Sequence, residues 1–246
     1  MIQRNRSLTL LAVLTLVFAL VITFPARIAY QWASPPYMKL SGIQGTIWSG
    51  NAREFSTNGV YLRDLTWRMR PLQLFTGKAA YDISGSPVSG FFESEIALGL
   101  GGTLTLKNLS ASLPLQMFAG AANIAGLSGA ASLQFERLDL ESGRPTAMDG
   151  TVDVANLVVP VLSSSSIGGY RAEFFTQNNG IVASVEDTDG VIDLAGSLQL
   201  NADKSYAFLG QVVAKPSAPE GLQRQIRFLP VANDRGQHEL RLEGSY

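Results

Sequence analysis

Leu65-Thr66-Trp67-Arg68-Met69-Arg70 sets an apolar side chain at every second position with a polar one between, and the run stops at Pro71. Successive side chains of an extended chain point to opposite faces, so a period of two makes a strand with one buried and one wet face. Proline has no N–H for a ladder and closes such a strand. The same alternation returns at Leu104 and Leu106, Leu138 and Leu140, Val152 and Val154, Leu198 and Leu200, and Leu240 and Leu242. Turn signals separate these runs at Asn58-Gly59, Gly101-Gly102, Asp149-Gly150, Asn179-Gly180, Asp189-Gly190 and Asn233 to Gly236. These residues tolerate positive φ, and many short hairpins follow from them. The reading is a mainly β fold with a mostly antiparallel sheet.

A weak repeat runs through it: a glycine, a small residue, then alternating apolar positions, beginning at Gly102, Gly129, Gly150 and Gly196. Two readings fit, a plain meander with glycine turns or a long repetitive sheet curving into a groove or partial barrel. Two stretches break the alternation. Leu113, Met117, Ala121 and Ile124 recur at helical spacing, and so do Leu222, Ile226 and Leu229 behind Pro219. They predict two short helices on the sheet.

Composition narrows the class. The chain of 246 residues is 46% apolar and 16% charged with 24 glycines, which is too apolar for disorder and glycine-rich for a helical fold. A net charge of −1 without a basic, aromatic-interleaved run argues against nucleic acid as a partner. With no cysteine, thiol catalysis, disulfides and zinc-thiolate sites are excluded.

Residues 7–24, from Ser7 to Phe24, carry no charge and as a helix reach roughly 27 Å, close to a bilayer's hydrocarbon thickness. Arg4 and Arg6 precede the stretch and Arg27 and Lys39 are the first cations after it. The positive-inside bias then leaves residues 1–6 in the cytoplasm and exports the rest. The stretch is longer than a signal-peptide core and has no small-x-small site behind it, which favours a retained anchor over a cleaved leader. Residues 25–38, with Tyr30, Trp32 and the Pro35-Pro36 pair, read as an interfacial exit and a stiff extended linker. Residues 39–246 form the exported β domain.

Reactive groups are sparse. His238 is the sole histidine, and no G-x-S-x-G or S-x-x-K motif offers it a nucleophile, so it reads as a strand residue. Glu186, Asp187 and Asp189 resemble a piece of a calcium loop but lack its other ligands, and read as an acidic hairpin turn. Ser163 to Ser166 read as a loop. Asp64, Glu93, Glu95 and Asp139 show no local spacing suited to acid/base work. Gly99, Gly101 and Gly102 precede a strand, whereas a phosphate loop opens a helix. No cofactor or metal is expected, and no catalytic residue is assigned.

One block is more specific. Leu40 to Ala52 reads LSGIQGTIWSGNA, followed by Leu62 to Trp67 and Pro71 to Gly77, and it resembles the start of the exported domain in the type II secretion system protein N family, also called general secretion pathway protein N. A Phe-Pro-Ala-Arg sequence at Phe24 to Arg27, residues 143–156 and residues 222–244 extend the resemblance over nearly the whole chain. It implies a non-enzymatic inner-membrane component that supports export of folded proteins across the outer membrane, with other platform subunits as partners. It also implies kinship with anchored periplasmic proteins of the AsmA type, whose β grooves are associated with lipid movement, so lipid is the partner under the alternative. The motif residues are Gly45, Trp48, Gly50, Trp67 and Pro71, with Trp48 and Trp67 expected to share an inner face as core or as partner contacts. A fully buried Trp48 would cost roughly 3 to 5 kcal/mol on truncation to alanine.

Overall fold

The structure is a computed structural model that describes residues 2–33, 38–57, 60–87, 89–120, 124–177, 180–231 and 236–245, with backbone only for residues 2–8 and 60. Asn58-Gly59, Asn179, Asn233 to Arg235, Ala121 and the Pro35-Pro36 spacer lie outside the described residues. Helix α1 (Ile2–Ile22) leads into α2 (Ala26–Ala33). Then come strands β1 (Met38–Ser41), β2 (Gln44–Gly45), β3 (Ser49–Thr57), β4 (Val60–Met69), β5 (Lys78–Ser86), β6 (Phe91–Gly99) and β7 (Thr103–Pro114). They continue as β8 (Ser128–Glu141), β9 (Arg144–Val158), β10 (Tyr170–Gln177), β11 (Gly180–Asp187), β12 (Ile192–Leu200) and β13 (Ser205–Ala214). Helix α3 (Glu220–Arg227) precedes β14 (His238–Ser245), and 3₁₀ turns occupy Pro71–Thr76 and Leu115–Phe118.

Among the described residues all fourteen strands join one open sheet in which neighbours in sequence are neighbours in space, from β1 at one edge to β14 at the other, with β2 paired on β3. Every pairing is antiparallel, so the predicted hairpin meander is the fold. Each alternating pair read from the sequence lies within a strand. The register threads one row, apolar but for Ser94, through the sheet: Gly50, Trp67, Ile83 and Ser94, then, past a bulge at Asn108, Leu109, Phe135, Gly150, Phe174, Ala183, Leu198, Phe208 and Leu242. Leu109, Ala111, Phe135, Phe174, Ile181 and Ala183 form its buried centre. A second cluster joins Ile167 and Val212 to Leu222 and Ile226 of α3, which closes the distal end of the sheet as its spacing predicted.

Three expectations are corrected. Asp149-Gly150 is no turn but the interior of β9, where Phe135 pairs with Gly150 and Arg137 with Asp149 across a bulge. The rings of Phe135 and Phe174 meet over Gly150 at 5.9 Å, and a Cβ there would lie 2.3 Å from the Gln134 carbonyl oxygen. The hairpin turn of that pair is Ser142-Gly143 instead. The helix expected from Leu113 shrinks to the 3₁₀ turn Leu115–Phe118, because Leu113 and Pro114 are still paired with β8 and only then does the chain turn. Residues 26–33 of the expected extended linker are helical; the Tyr30 hydroxyl donates to the Met38 carbonyl and accepts from the Leu40 N–H, which fastens α2 to β1.

Among the described residues no helix is long and apolar enough to cross a membrane. Ahead of its last turn the described side chains of α1 are nonetheless exposed, with Leu10, Leu14 and Phe18 at 70%, 68% and 65%.

Candidate functional site

The motif block assembles where α1 meets the sheet. Gly45 of β2 pairs with Gly50 of β3, and Thr46 to Ser49 make the turn between them. Thr46 builds that turn: its N–H donates to the Ser49 carbonyl at 2.9 Å, and its hydroxyl accepts from the N–H groups of Trp48 and Ser49 at 3.2 Å. Ile47 and Trp48 thus sit on a hairpin tip. Gly45 has φ +90°, and a Cβ on it would fall 2.7 Å from the Gly50 Cα. A Cβ on Gly50 would meet the Gln44 carbonyl oxygen at 2.4 Å and Trp67 Cζ2 at 2.5 Å. The two glycines therefore let the hairpin close with the Trp67 indole lying over it.

The tryptophans do different jobs. Trp67, paired with Gly50, donates its indole N–H to the Thr46 carbonyl at 3.0 Å and so pins the turn from the next strand. Trp48 faces the other way. Its indole N–H donates to the Val21 carbonyl at 2.8 Å, sharing that acceptor at the end of α1 with the Phe24 N–H at 3.3 Å. Ile47 N–H donates to the Phe24 carbonyl at 3.1 Å, Pro25 bridges Thr46, and the Phe24 and Trp32 rings pack at 5.6 Å. Both indoles are half-buried, Trp67 over the hairpin and Trp48 on its tip. Pro71 ends β4 as read and opens the 3₁₀ turn.

Beside the block lies an open depression of about 540 Å³ bordered by Gly50, Trp67, Arg70, Asp82 and Glu95. The Arg70 guanidinium grips Asp82 with Nη2 at 2.8 Å and Nε at 3.1 Å, and reaches Glu95 with Nη1 at 2.8 Å. Both carboxylates are thereby engaged by the one cation. Sequence reading singled out Glu95 but missed this triad and Thr46, because Asp82 and Glu95 become neighbours only once the β5–β6 register exists.

The other candidates stay apart. Asp64 and Glu93 are exposed on β4 and β6. Asp139 is buried and bound by Arg137, whose Nε donates at 2.8 Å; burial pushes its carboxyl up, but the hydrogen bonds from Arg137 and Thr105 outweigh that and hold it below the ordinary value. Asp187 ends β11 and takes Lys215 Nζ at 2.6 Å and the Leu194 N–H at 3.0 Å. Burial works to raise it too, and those two donors hold it low. Tyr170 is pushed up to about 12 by burial, aided by Asp187 and Asp189. Glu186 and Asp187 lie in the strand and Asp189 in the turn after it, and among the described residues no carboxylate or histidine group is arranged to hold a metal ion. His238 opens β14 with Nδ1 2.9 Å from the Leu229 carbonyl, to which it can only donate. Ser163 and Ser166 cap local turns through the Ser165 and Gly168 N–H groups. Gly99 to Gly102 turn β6 into β7.

The family described as type II secretion system (T2SS), protein N matches residues 36–241. Relatives include the type II secretion system protein N of Vibrio cholerae serotype O1, 24% identical over 239 residues that cover 93% of this chain and 94% of that protein. The protein of the same name from Aeromonas hydrophila is 21% identical over 243 residues, covering 92% of each. No solved structure matches the chain significantly.

Proposed function

Since the chain belongs to the type II secretion system protein N family, we propose that it is a non-catalytic inner-membrane component of this secretion pathway, with α1 as its anchor and residues 39–246 in the periplasm, supporting export of folded proteins alongside other platform subunits. The observation that carries the reading is the joint just described. The motif glycines and Trp67 close the hairpin and Trp48 fastens it to the end of α1, while the charged groups beside it, Arg70, Asp82 and Glu95, are paired with one another. A device of that kind serves a protein whose task depends on where it is held. The anchor itself is supported by the uncharged stretch 7–24 and by the unpacked apolar face of α1. Its threonines also fit lipid: the Thr15 and Thr23 hydroxyls donate to the Leu11 and Ala19 carbonyls four residues back.

The apolar row from Trp67 to Leu242 favours a second reading, AsmA-like lipid handling, since a lipid path needs a continuous lining. Its centre, however, is buried under its own side chains, and an acyl chain would have to displace Phe135 and Phe174. A deletion strain separates the two. Under the secretion reading, folded exoproteins accumulate in the periplasm while envelope permeability stays near normal, and the full-length chain restores release where a form lacking residues 1–24 behind a cleavable leader does not. Normal release with raised detergent sensitivity, and lipid copurifying with the protein, would overturn it in favour of lipid handling.

A further inference from the structure

We propose that the 3₁₀ turn Pro71–Thr76, together with Leu100 of the adjoining hairpin, is a second membrane contact that dips into the leaflet at the C-terminal end of α1. The inference rests on α1 being the anchor. Position is the first argument. Trp48 donates its indole N–H to the Val21 carbonyl, and the Trp48 carbonyl accepts from the Met69 N–H at 2.6 Å. Two hydrogen bonds therefore lead from the end of α1 to a point two residues before Pro71. Whatever depth the end of α1 adopts, this turn is held near it.

Chemistry is the second argument. The turn reads Pro-Leu-Gln-Leu-Phe-Thr without a charge, and its Leu72 and Phe75 are 77% and 88% exposed; Leu100 of the next turn, whose Cδ1 lies 3.3 Å from where a Cβ on Gly77 would stand, is 94% exposed. Its polar groups turn inward: Gln73 N–H donates to Arg70, Gly77 N–H to Leu74, and the Thr76 hydroxyl to the Gln73 carbonyl. A segment that satisfies its own backbone while presenting bulky apolar side chains suits an interfacial layer.

Confinement is the third. The hairpin turns farther along the same edge of the sheet are polar, Glu141 to Arg144 and Asn201 to Ser205. Close to α1 the apolar exposure resumes with Trp32 on α2, 78% exposed. Among the described residues, exposed apolar side chains also stand in connections at the opposite edge, at Val161, Phe228 and Val231, but on this edge the apolar tip lies where the anchor leaves the domain, which fits the bilayer that holds the anchor better than a protein partner.

The absence of cysteine makes the test direct. Full-length Phe75→Cys, Leu100→Cys and, as a control on the distant Asn201–Ser205 turn, Ala202→Cys would each carry an environment-sensitive dye in nanodiscs of phosphatidylethanolamine and phosphatidylglycerol. All three sites are exposed, so unchanged circular dichroism is expected. The dyes at 75 and 100 should emit to the blue, be quenched by shallow nitroxide lipids and resist aqueous iodide several-fold better than the dye at 202. Iodide access at 75 equal to that at 202, in protein that resists alkaline carbonate extraction, would overturn the proposal. Protection at 75 in native membranes but not in nanodiscs would also overturn it and assign the tip to a protein. Protein stripped out by carbonate would overturn the anchor reading first, which distinguishes the two failures.

Discussion

At the scale of single residues, the joint between α1 and the sheet depends on two kinds of fit that mutation separates. Trp48→Phe keeps a six-membered aromatic ring and removes the pyrrole half of the indole, with the N–H that reaches the Val21 carbonyl. At a half-buried site one neutral hydrogen bond contributes about 1 kcal/mol, so the melting temperature should fall by roughly 2–4 °C for a chain of this size. The larger figure for a fully buried Trp48 does not apply, because the ring lies on a hairpin tip. Gly50→Ala instead forces a Cβ into the Gln44 carbonyl and the Trp67 ring. Overpacking of that kind costs about 1–3 kcal/mol, and the variant should melt well below Trp48→Phe. A Gly50→Ala protein as stable as wild type would mean that the hairpin does not close as described. These residues were legible as a motif, since the GTIWSG block stands out from an otherwise plain alternation. Their partners were not, because a carbonyl on Val21 carries no mark in the sequence.

At the scale of elements, the strands announced themselves but their parities did not. In β7 the buried positions shift from Leu106 to Leu109, Ala111 and Leu113 because Asn108, at φ +48°, inserts a residue. In β8 the side chains on the core cluster shift from Leu133 and Phe135 to the partly buried Leu138 at the bulge facing Gly150. Asp-Gly tolerates a hairpin turn and a bulge alike, and only the partner strand decides between them, which is why Asp149-Gly150 misled and Asp189-Gly190 did not. The β11–β12 hairpin is also where the fold meets acid. Asp187, tied to Lys215 and the Leu194 N–H, has a folded pKa below its unfolded value. Its contribution is therefore present above the ordinary Asp value of about 3.9 and is lost as pH falls through the lower folded value. Asp139 acts in the same direction. Denaturation midpoints measured from about pH 6 to pH 2 should decline below about pH 4. Asp187→Asn should be less stable at neutral pH and show a shallower decline; a decline as steep as wild type would clear Asp187 of the acid sensitivity.

At the scale of the whole molecule, the accessible surface is 15,638 Å², about half as much again as the roughly 10,600 Å² of a compact chain of 26.4 kDa. An open sheet with an exposed leading helix explains the excess. Each strand touches little beyond its neighbours, so stability is expected to be graded along the sheet, as in repeat architectures, rather than shared equally. The buried cluster from β7 to β11 is the thick part. At one end β1 has β3 as its one strand neighbour, tied besides only by the Tyr30 hydroxyl among the described hydrogen bonds, and at the other β14 leans on β13, presenting the Arg241–Glu243 pair along its free edge in the way edge strands avoid mispairing. Native-state hydrogen exchange should accordingly be slowest at the amides of Leu109, Phe135, Phe174 and Ile181, and fastest in β1 and β14. Equal protection from β1 to β14 would show one cooperative unit and defeat the graded picture. The β1 end carries a further expectation because of the joint to α1. In detergent or nanodiscs, where α1 is held, β2 and β3 should gain protection that Trp48→Phe removes, while β14 should not change. Loss of protection at both ends together would mean that the tryptophan stabilises the sheet globally, and that the joint is no separate device.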